Sequence, residues 1–143
     1  MQSANQECIS IMAKSAKKSD TARKLAIACA RIAQDNNATD IVVLDLREVS
    51  PITDYFVICT GTSSRQMRTV AEQIGEHGKG VGQPPWQVAG IEGGDWIVLD
   101  FVDVVVHVFD EHHRKYYDLE LIWGESPHVR WKRRSPAKKA LQQ

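Results

Sequence analysis

Three groups of side chains in this sequence have the composition of chemical sites, and spacing alone tests each of them. The first is Gly61-Thr62-Ser63-Ser64, set between a β-rich run and a helical one, with Asp100 and Asp103 further along. That is the layout of a nucleotidyltransferase, with the glycine turn near phosphates and carboxylates on a divalent metal. Such carboxylates must project from one side of a strand, which needs Asp-x-Asp because only residues i and i+2 share a face. Here the spacing is Asp100-x-x-Asp103, and the glycine turn lacks the full phosphate-loop pattern. A structural turn with a helix N-cap is therefore the reading adopted, with a divergent nucleotidyltransferase using Ser63 and the aspartates as the alternative. The second group is His107, His112 and His113, with Asp110 or Glu111 nearby. Adjacent helical residues point about 100° apart, so His112 and His113 cannot both face one ion. No metal is expected, with His107 a half-buried strand residue that makes one hydrogen bond. The third group is Cys8, Cys29 and Cys59, which form no Cys-x-x-Cys pair and are odd in number, as expected of reduced thiols. Gly61 to Arg65 does not complete a Gly-x-Ser-x-Gly elbow. No catalytic residue and no cofactor are expected.

The element that must position most of these groups is the stretch from Asp95 to Trp123, which holds the densest apolar and aromatic content of the chain. Ile97 and Leu99 alternate with Trp96, Val98 and Asp100, and Val104, Val106 and Val108 alternate with Asp103, Val105, His107 and Phe109. A period of two means a hairpin. A turn through Phe101 and Val102 would set Asp100 opposite Asp103 and bring both aliphatic sets to one side, which must be core. The other side carries Trp96, Val98, Asp100, Asp103, Val105, His107 and Phe109, too apolar for idle solvent and too acidic for a core. Such a surface meets a partner. Trp96, Val98, Asp100, Asp103, Val105 and His107 are the candidate partner-binding residues.

The remaining elements follow from the same periodicities. A helix starts near Asp20, capped by Ser19 or Asp20, buries Ala22, Leu25, Ala26, Cys29, Ile32 and Ala33, and ends at Asn36-Asn37. Asp40 to Leu46 reads as a buried strand, expected to be central, and Asp54 to Cys59 as a second strand. Met67, Val70, Ala71 and Ile74 mark another helix, weakened by Gly75, Gly78, Gly80 and Gly82 and stopped by Pro84-Pro85. Trp86 to Ile91 is a short strand before the hairpin, and Asp110 or Glu111 starts a last helix that carries Trp123 and stops at Gly124. The fold class is α/β, a mixed sheet of about five strands with helices packed on it.

A chain of 143 residues, 43% of them apolar, suffices for one core and argues for one domain. The sequence contains no run long enough to span a bilayer and no secretory signal, so a soluble protein with no membrane partner is expected. Formal charge is zero but unevenly placed: Glu92 to Glu120 is acidic, whereas after Glu125 come Arg130, Lys132, Arg133, Arg134, Lys138 and Lys139 without a carboxylate side chain. Three parts are assigned: a flexible segment 1–18, an α/β domain 19–124, and a basic tail 125–143 able to touch phosphates.

The runs Asp40-Ile-Val-Val-Leu-Asp-Leu, Ile52 to Gln66, Asp95-Trp-Ile-Val-Leu-Asp, Asp103-Val-Val-Val-His-Val-Phe and Arg114 to Trp123 together resemble the ribosomal silencing factor family, RsfS or Iojap-like. The resemblance covers about residues 20 to 131. It implies a nucleotidyltransferase-like α/β fold without the catalytic carboxylates. It also implies a cytoplasmic bacterial protein, or one of an organelle stroma or matrix, that binds the large ribosomal subunit through ribosomal protein uL-fourteen and blocks subunit joining. It implies a homodimer when free, and it matches the family's contact tryptophan to Trp96 and its acidic positions to Asp100 and Asp103. Contact of the basic tail with ribosomal RNA, or a role in large-subunit assembly without silencing, are further expectations. One departure stands out: the family usually has glycine where this chain has Val102.

Overall fold

The computed structural model describes residues 20–119 and 125–133; the segment 1–18, Trp123 and the end of the basic tail lie outside the described residues. Helix α1 spans 20–35 and turns Ala22, Leu25, Ala26, Cys29, Ala30 and Ala33 into the core. It ends as Asn36-Asn37 predicts. Asn37 takes a left-handed φ of 67°, so that Ala38 N–H reaches the Ala33 carbonyl at 2.9 Å and Asn37 N–H the Gln34 carbonyl at 3.0 Å. This paired cap satisfies two terminal carbonyls at once.

After α1 come β1 (Thr39–Asp45), β2 (Tyr55–Thr60), α2 (Ser64–Gly80), β3 (Gln87–Ala89), β4 (Trp96–Asp100), β5 (Val104–Phe109) and α3 (Glu111–Tyr117). This element order and the mixed five-stranded sheet agree with the periodicities. The sheet order is β1-β2-β5-β4-β3, with β2 and β5 parallel and the other neighbours antiparallel. β5 is therefore the middle strand. β1, expected to be central from its continuous apolar run, lies at the edge, and its inward pattern has a different cause.

That cause is the chain beyond Glu125. Asp45 N–H donates to the Pro127 carbonyl and Val129 N–H to the Val43 carbonyl, each at 2.8 Å, with a bridge between Leu44 and His128. Val129 and Trp131 are buried, Arg31 Nε donates to the Trp131 carbonyl at 2.8 Å, and Arg133 holds Asp35 with two bonds of 2.9 Å. The tail boundary at 125 is thus corrected: residues 125–133 are a strap along the open edge of β1. The run of cations hid an alternation in which Val129 and Trp131 face in while Arg130 and Lys132 face out.

Both long helices pack on one side of the sheet, against Val43, Val57, Cys59, Ile97, Leu99, Phe101, Val104, Val106 and Val108. Helix α2 starts on Ser63, whose Oγ accepts from Gln66 N–H at 3.1 Å while Gln66 Oε1 accepts from Thr62 N–H at 2.5 Å. It runs through its glycines to Gly80 because Gly78 lets it approach Phe101: a Cβ there would stand 2.7 Å from the ring and 2.5 Å from the Gln83 carbonyl oxygen. Helix α3 is interrupted within the predicted span: Leu119 is helical again, and the rest of that span lies outside the described residues. It closes at Tyr117, where Asp118 adopts a left-handed φ of 42° and returns its N–H to the Arg114 carbonyl.

If the strap is part of the core, Trp131→Ala should cost about 3 kcal/mol of unfolding free energy. Lys132→Ala, one residue away and exposed, should cost under about 0.5 kcal/mol. Equal, small effects in urea denaturation would return the strap to the status of a tail.

Candidate partner-binding face

The side of the sheet turned away from α1 and α2 is built in rows. Cross-strand register sets Val42, Ile58, His107, Val98 and Ala89 in one row, Leu44, Phe56, Val105, Asp100 and Gln87 in the next, and Thr60, Phe109 and Trp96 in a third. Five of the predicted residues, Trp96, Val98, Asp100, Val105 and His107, thus share this face, and Asp103 lies in the turn at its end. Trp96, Val98, Asp100, Asp103 and Val105 are half-buried. His107 and Phe109 are not surface residues: both are buried, Phe109 in a small second cluster with Leu44, Leu46 and Ile58. The correction has a simple origin. Their neighbours Phe56, Val42, Leu44 and Ile58 come from β1 and β2, and the hairpin's own alternation carries no information about which strands flank it.

Trp96 lies over this cluster. Its ring stacks on Phe109 at 5.0 Å between centroids with an interplanar angle of 22°, and its Nε1–H donates to His107 Nδ1 at 3.1 Å. Phe56 meets the His107 ring edge-on at 4.7 Å. Because Nδ1 accepts, the neutral imidazole carries its proton on Nε2, which is buried and, among the described residues, without a hydrogen-bond partner. Burial pushes the His107 pKa down to about 4.

The hairpin turn lies one residue later than expected, which shifts the pairing register by two. Phe101 stays in register, donating its N–H to the Val104 carbonyl at 2.8 Å, and the turn runs through Val102 and Asp103, so Asp100 faces Val105 and not Asp103. A shift of two residues preserves which side each side chain occupies, so the two faces are those predicted. Val102 takes φ 74°, with Asp103 N–H donating to the Phe101 carbonyl at 2.9 Å across it. A β-branched residue is strained there. Asp100 Oδ1 accepts Val102 N–H at 2.7 Å, and the Asp103 carbonyl accepts from Asp54 and Tyr55 N–H, tying the turn to β2.

Acid also gathers at the opposite end of the face. Asp110 N–H donates to the Asp95 carbonyl at 3.0 Å, next to the Trp96–Phe109 pair. Asp95, Asp110 and His113 bring their ligand atoms within 4.8 Å of one another, a trio the sequence did not suggest. Asp110 Oδ1, however, caps α3 by accepting His113 N–H at 2.7 Å and sits 2.8 Å from His113 Nδ1. Two ligands on one tetrahedral ion with bonds of about 2.0 Å stand roughly 3.3 Å apart, so this spacing is that of a hydrogen-bonded cap. Partial burial would raise the Asp110 pKa, but the hydrogen bonds from the His113 backbone and ring hold it below the ordinary value. Cys29 and Cys59 are buried and unpaired, and burial pushes the Cys59 thiol up to about 12, away from the reactive thiolate.

Two outcomes follow from this geometry. Val102→Gly should raise stability by about 1 kcal/mol, since relieved backbone strain exceeds the added freedom of the unfolded glycine; a loss in thermal melts would contradict the strained turn. His107 is the second. The native state refuses a proton that the unfolded chain takes up as pH falls from the ordinary histidine value near 6.5. Its contribution is complete above pH 6.5 and is lost between there and about 4, by about 3 kcal/mol in all. His107→Leu should flatten the stability profile in that window; an unchanged profile would place His107 in water.

A family model described as ribosomal silencing factor during starvation matches residues 19–143. The Bacillus subtilis ribosomal silencing factor RsfS is 39% identical over 93 residues, covering 65% of this chain and 79% of that protein. The mouse protein named mitochondrial assembly of ribosomal large subunit protein 1 is 32% identical over 93 residues, 63% of this chain and 41% of its own length. A crystal structure of a Chromobacterium violaceum protein superposes with a TM-score of 0.67 at 32% identity, covering 76% of this chain and 88% of that one. Extent of match, fold and motif order agree, and the chain belongs to the ribosomal silencing factor (RsfS) family.

Proposed function

We propose that this chain is a non-enzymatic translation repressor that docks the sheet face turned away from α1 and α2, centred on Trp96, on ribosomal protein uL-fourteen of the large subunit and excludes the small subunit by bulk. The observation that supports this reading is the composition of that face. α1 and α2 cover the other side, while Trp96, Val98, Asp100 and Val105 stay half-exposed. The apolar strip is flanked by Asp100 and Asp103 at one end and by Asp95 and Asp110 at the other. An aromatic anchor between acidic ends suits a basic protein surface. The free protein pairs with itself through the same face as a homodimer, and the cations that follow the strap reach ribosomal RNA. It works wherever its ribosome is, in a bacterial cytoplasm or an organelle; no described helix is long and apolar enough to cross a membrane.

The name of the mouse relative favours a second reading, in which the same face serves assembly of the large subunit. Sucrose-gradient profiles of depleted cells separate the two, since loss of a silencer increases subunit joining whereas loss of an assembly factor leaves immature particles.

Co-sedimentation with purified large subunits tests the docking face. Trp96→Ala should weaken binding about thirtyfold at any salt, as truncation of a central aromatic anchor costs about 2 kcal/mol. The variant should still fold, because Trp96 caps the small cluster from its solvent side. Asp100→Asn with Asp103→Asn should weaken binding chiefly at low ionic strength, since rim charges steer encounter and are screened. A Trp96→Ala protein that folds and binds like wild type would remove this face from the interface.

A further inference from the structure

We propose that His107 is a positioning residue for Trp96, and that Trp96 accordingly offers its partner an apolar ring edge with no free indole N–H. The inference rests on the reading that Trp96 anchors the partner and adds which group sets its orientation and what its receiving pocket must contain.

Stacking alone leaves a ring's in-plane orientation open. Phe109, at 5.0 Å and 22°, fixes the plane of the Trp96 indole, and the His107 ring at 5.9 Å and 30° lies nearly parallel to both. Aromatic stacking is broad in energy, so the indole could slide on this platform or turn its nitrogen outward at little cost. The directional contact is Nε1–H to His107 Nδ1 at 3.1 Å. His107 is itself held: it sits between β2 and β4 in the register Ile58–His107–Val98, is buried, and has Phe56 against its ring edge at 4.7 Å. A fixed acceptor under a half-exposed indole selects one ring orientation, the preorganisation that lowers the ordering cost of binding.

The chemistry of the acceptor matters as much as its place. Neutral imidazole offers one lone pair, at Nδ1, and that lone pair is used by Trp96. The indole has one donor, and it is spent inside the protein. A partner pocket that receives Trp96 therefore meets carbon and ring face, so it is lined by aliphatic side chains or by the stems of lysine and arginine, with no carbonyl or carboxylate placed to accept from the indole nitrogen.

Two variants and one direct measurement test this. In protein labelled with 15N, the Trp96 indole N–H resonance is assigned by its absence in Trp96→Phe, and a through-bond coupling between Trp96 Nε1 and His107 Nδ1 should be seen in the unsubstituted protein. Its absence there overturns the proposal whatever the variants do. His107→Leu should move the Trp96 resonance, speed its exchange with water and weaken large-subunit binding about fivefold. His107→Asn places an amide oxygen near the Nδ1 position and should recover both. Wild-type binding by a folded His107→Leu, or a folded His107→Asn that recovers neither, overturns it. If Trp96→Ala binds as well as wild type, the anchor reading fails, while the coupling still decides whether His107 holds the ring.

Discussion

β5 is hydrogen-bonded on both sides and buried on both faces except at half-exposed Val105, and the architecture depends on that one strand. Its parallel partner β2 and antiparallel partner β4 place Val104, Val106 and Val108 under the helices and His107 and Phe109 under the opposite surface. A strand in that position cannot tolerate a slip of one residue, which would send imidazole and phenyl rings into the helical layer and valines to the other side. The continuous apolar run of β5 is the sequence counterpart of this double burial.

From that middle strand the two edges are protected differently. β3 is only three residues long and wholly exposed, and a short edge offers little template for foreign strands. β1 is long and apolar, and the strap from Ser126 to Trp131 covers its edge with backbone bonds and the buried apolar side chains of Val129 and Trp131. The strap also reaches α1 through Arg31 and Arg133, so helix, edge strand and C-terminal segment share one contact region.

The surface left by these choices is a face where aromatic packing and charge are separated in space. Stacked Trp96, Phe109 and His107 occupy its middle, and carboxylates occupy its ends, where turns and caps use them. Asp100 orders the Val102 turn and Asp110 caps α3, so local structure and the sign of the surface come from the same groups. Burial keeps His107 neutral near pH 7, which is the state able to accept from an indole N–H.

Local chemistry suffices for much of this protein. Helical and two-residue periodicities locate the elements in order, Asn36-Asn37 and Ser63 mark helix ends, and the alternation in β4 and β5 sorts core side chains from the others, because these signals depend on neighbours a few residues away. Strand order carries no such signal. β1 reads as central because its residues are apolar, but they are covered by chain some eighty positions on, as the Leu44–His128 bridge shows. His107 and Phe109 read as surface because the hairpin is silent about β1 and β2. The turn reads one residue early because Phe101, an apparent turn residue, is drawn into register by the core beneath Gly78. In each case a contact between distant segments outweighs the local pattern, since burial of a whole side chain is worth more than the preference of any single turn or edge position.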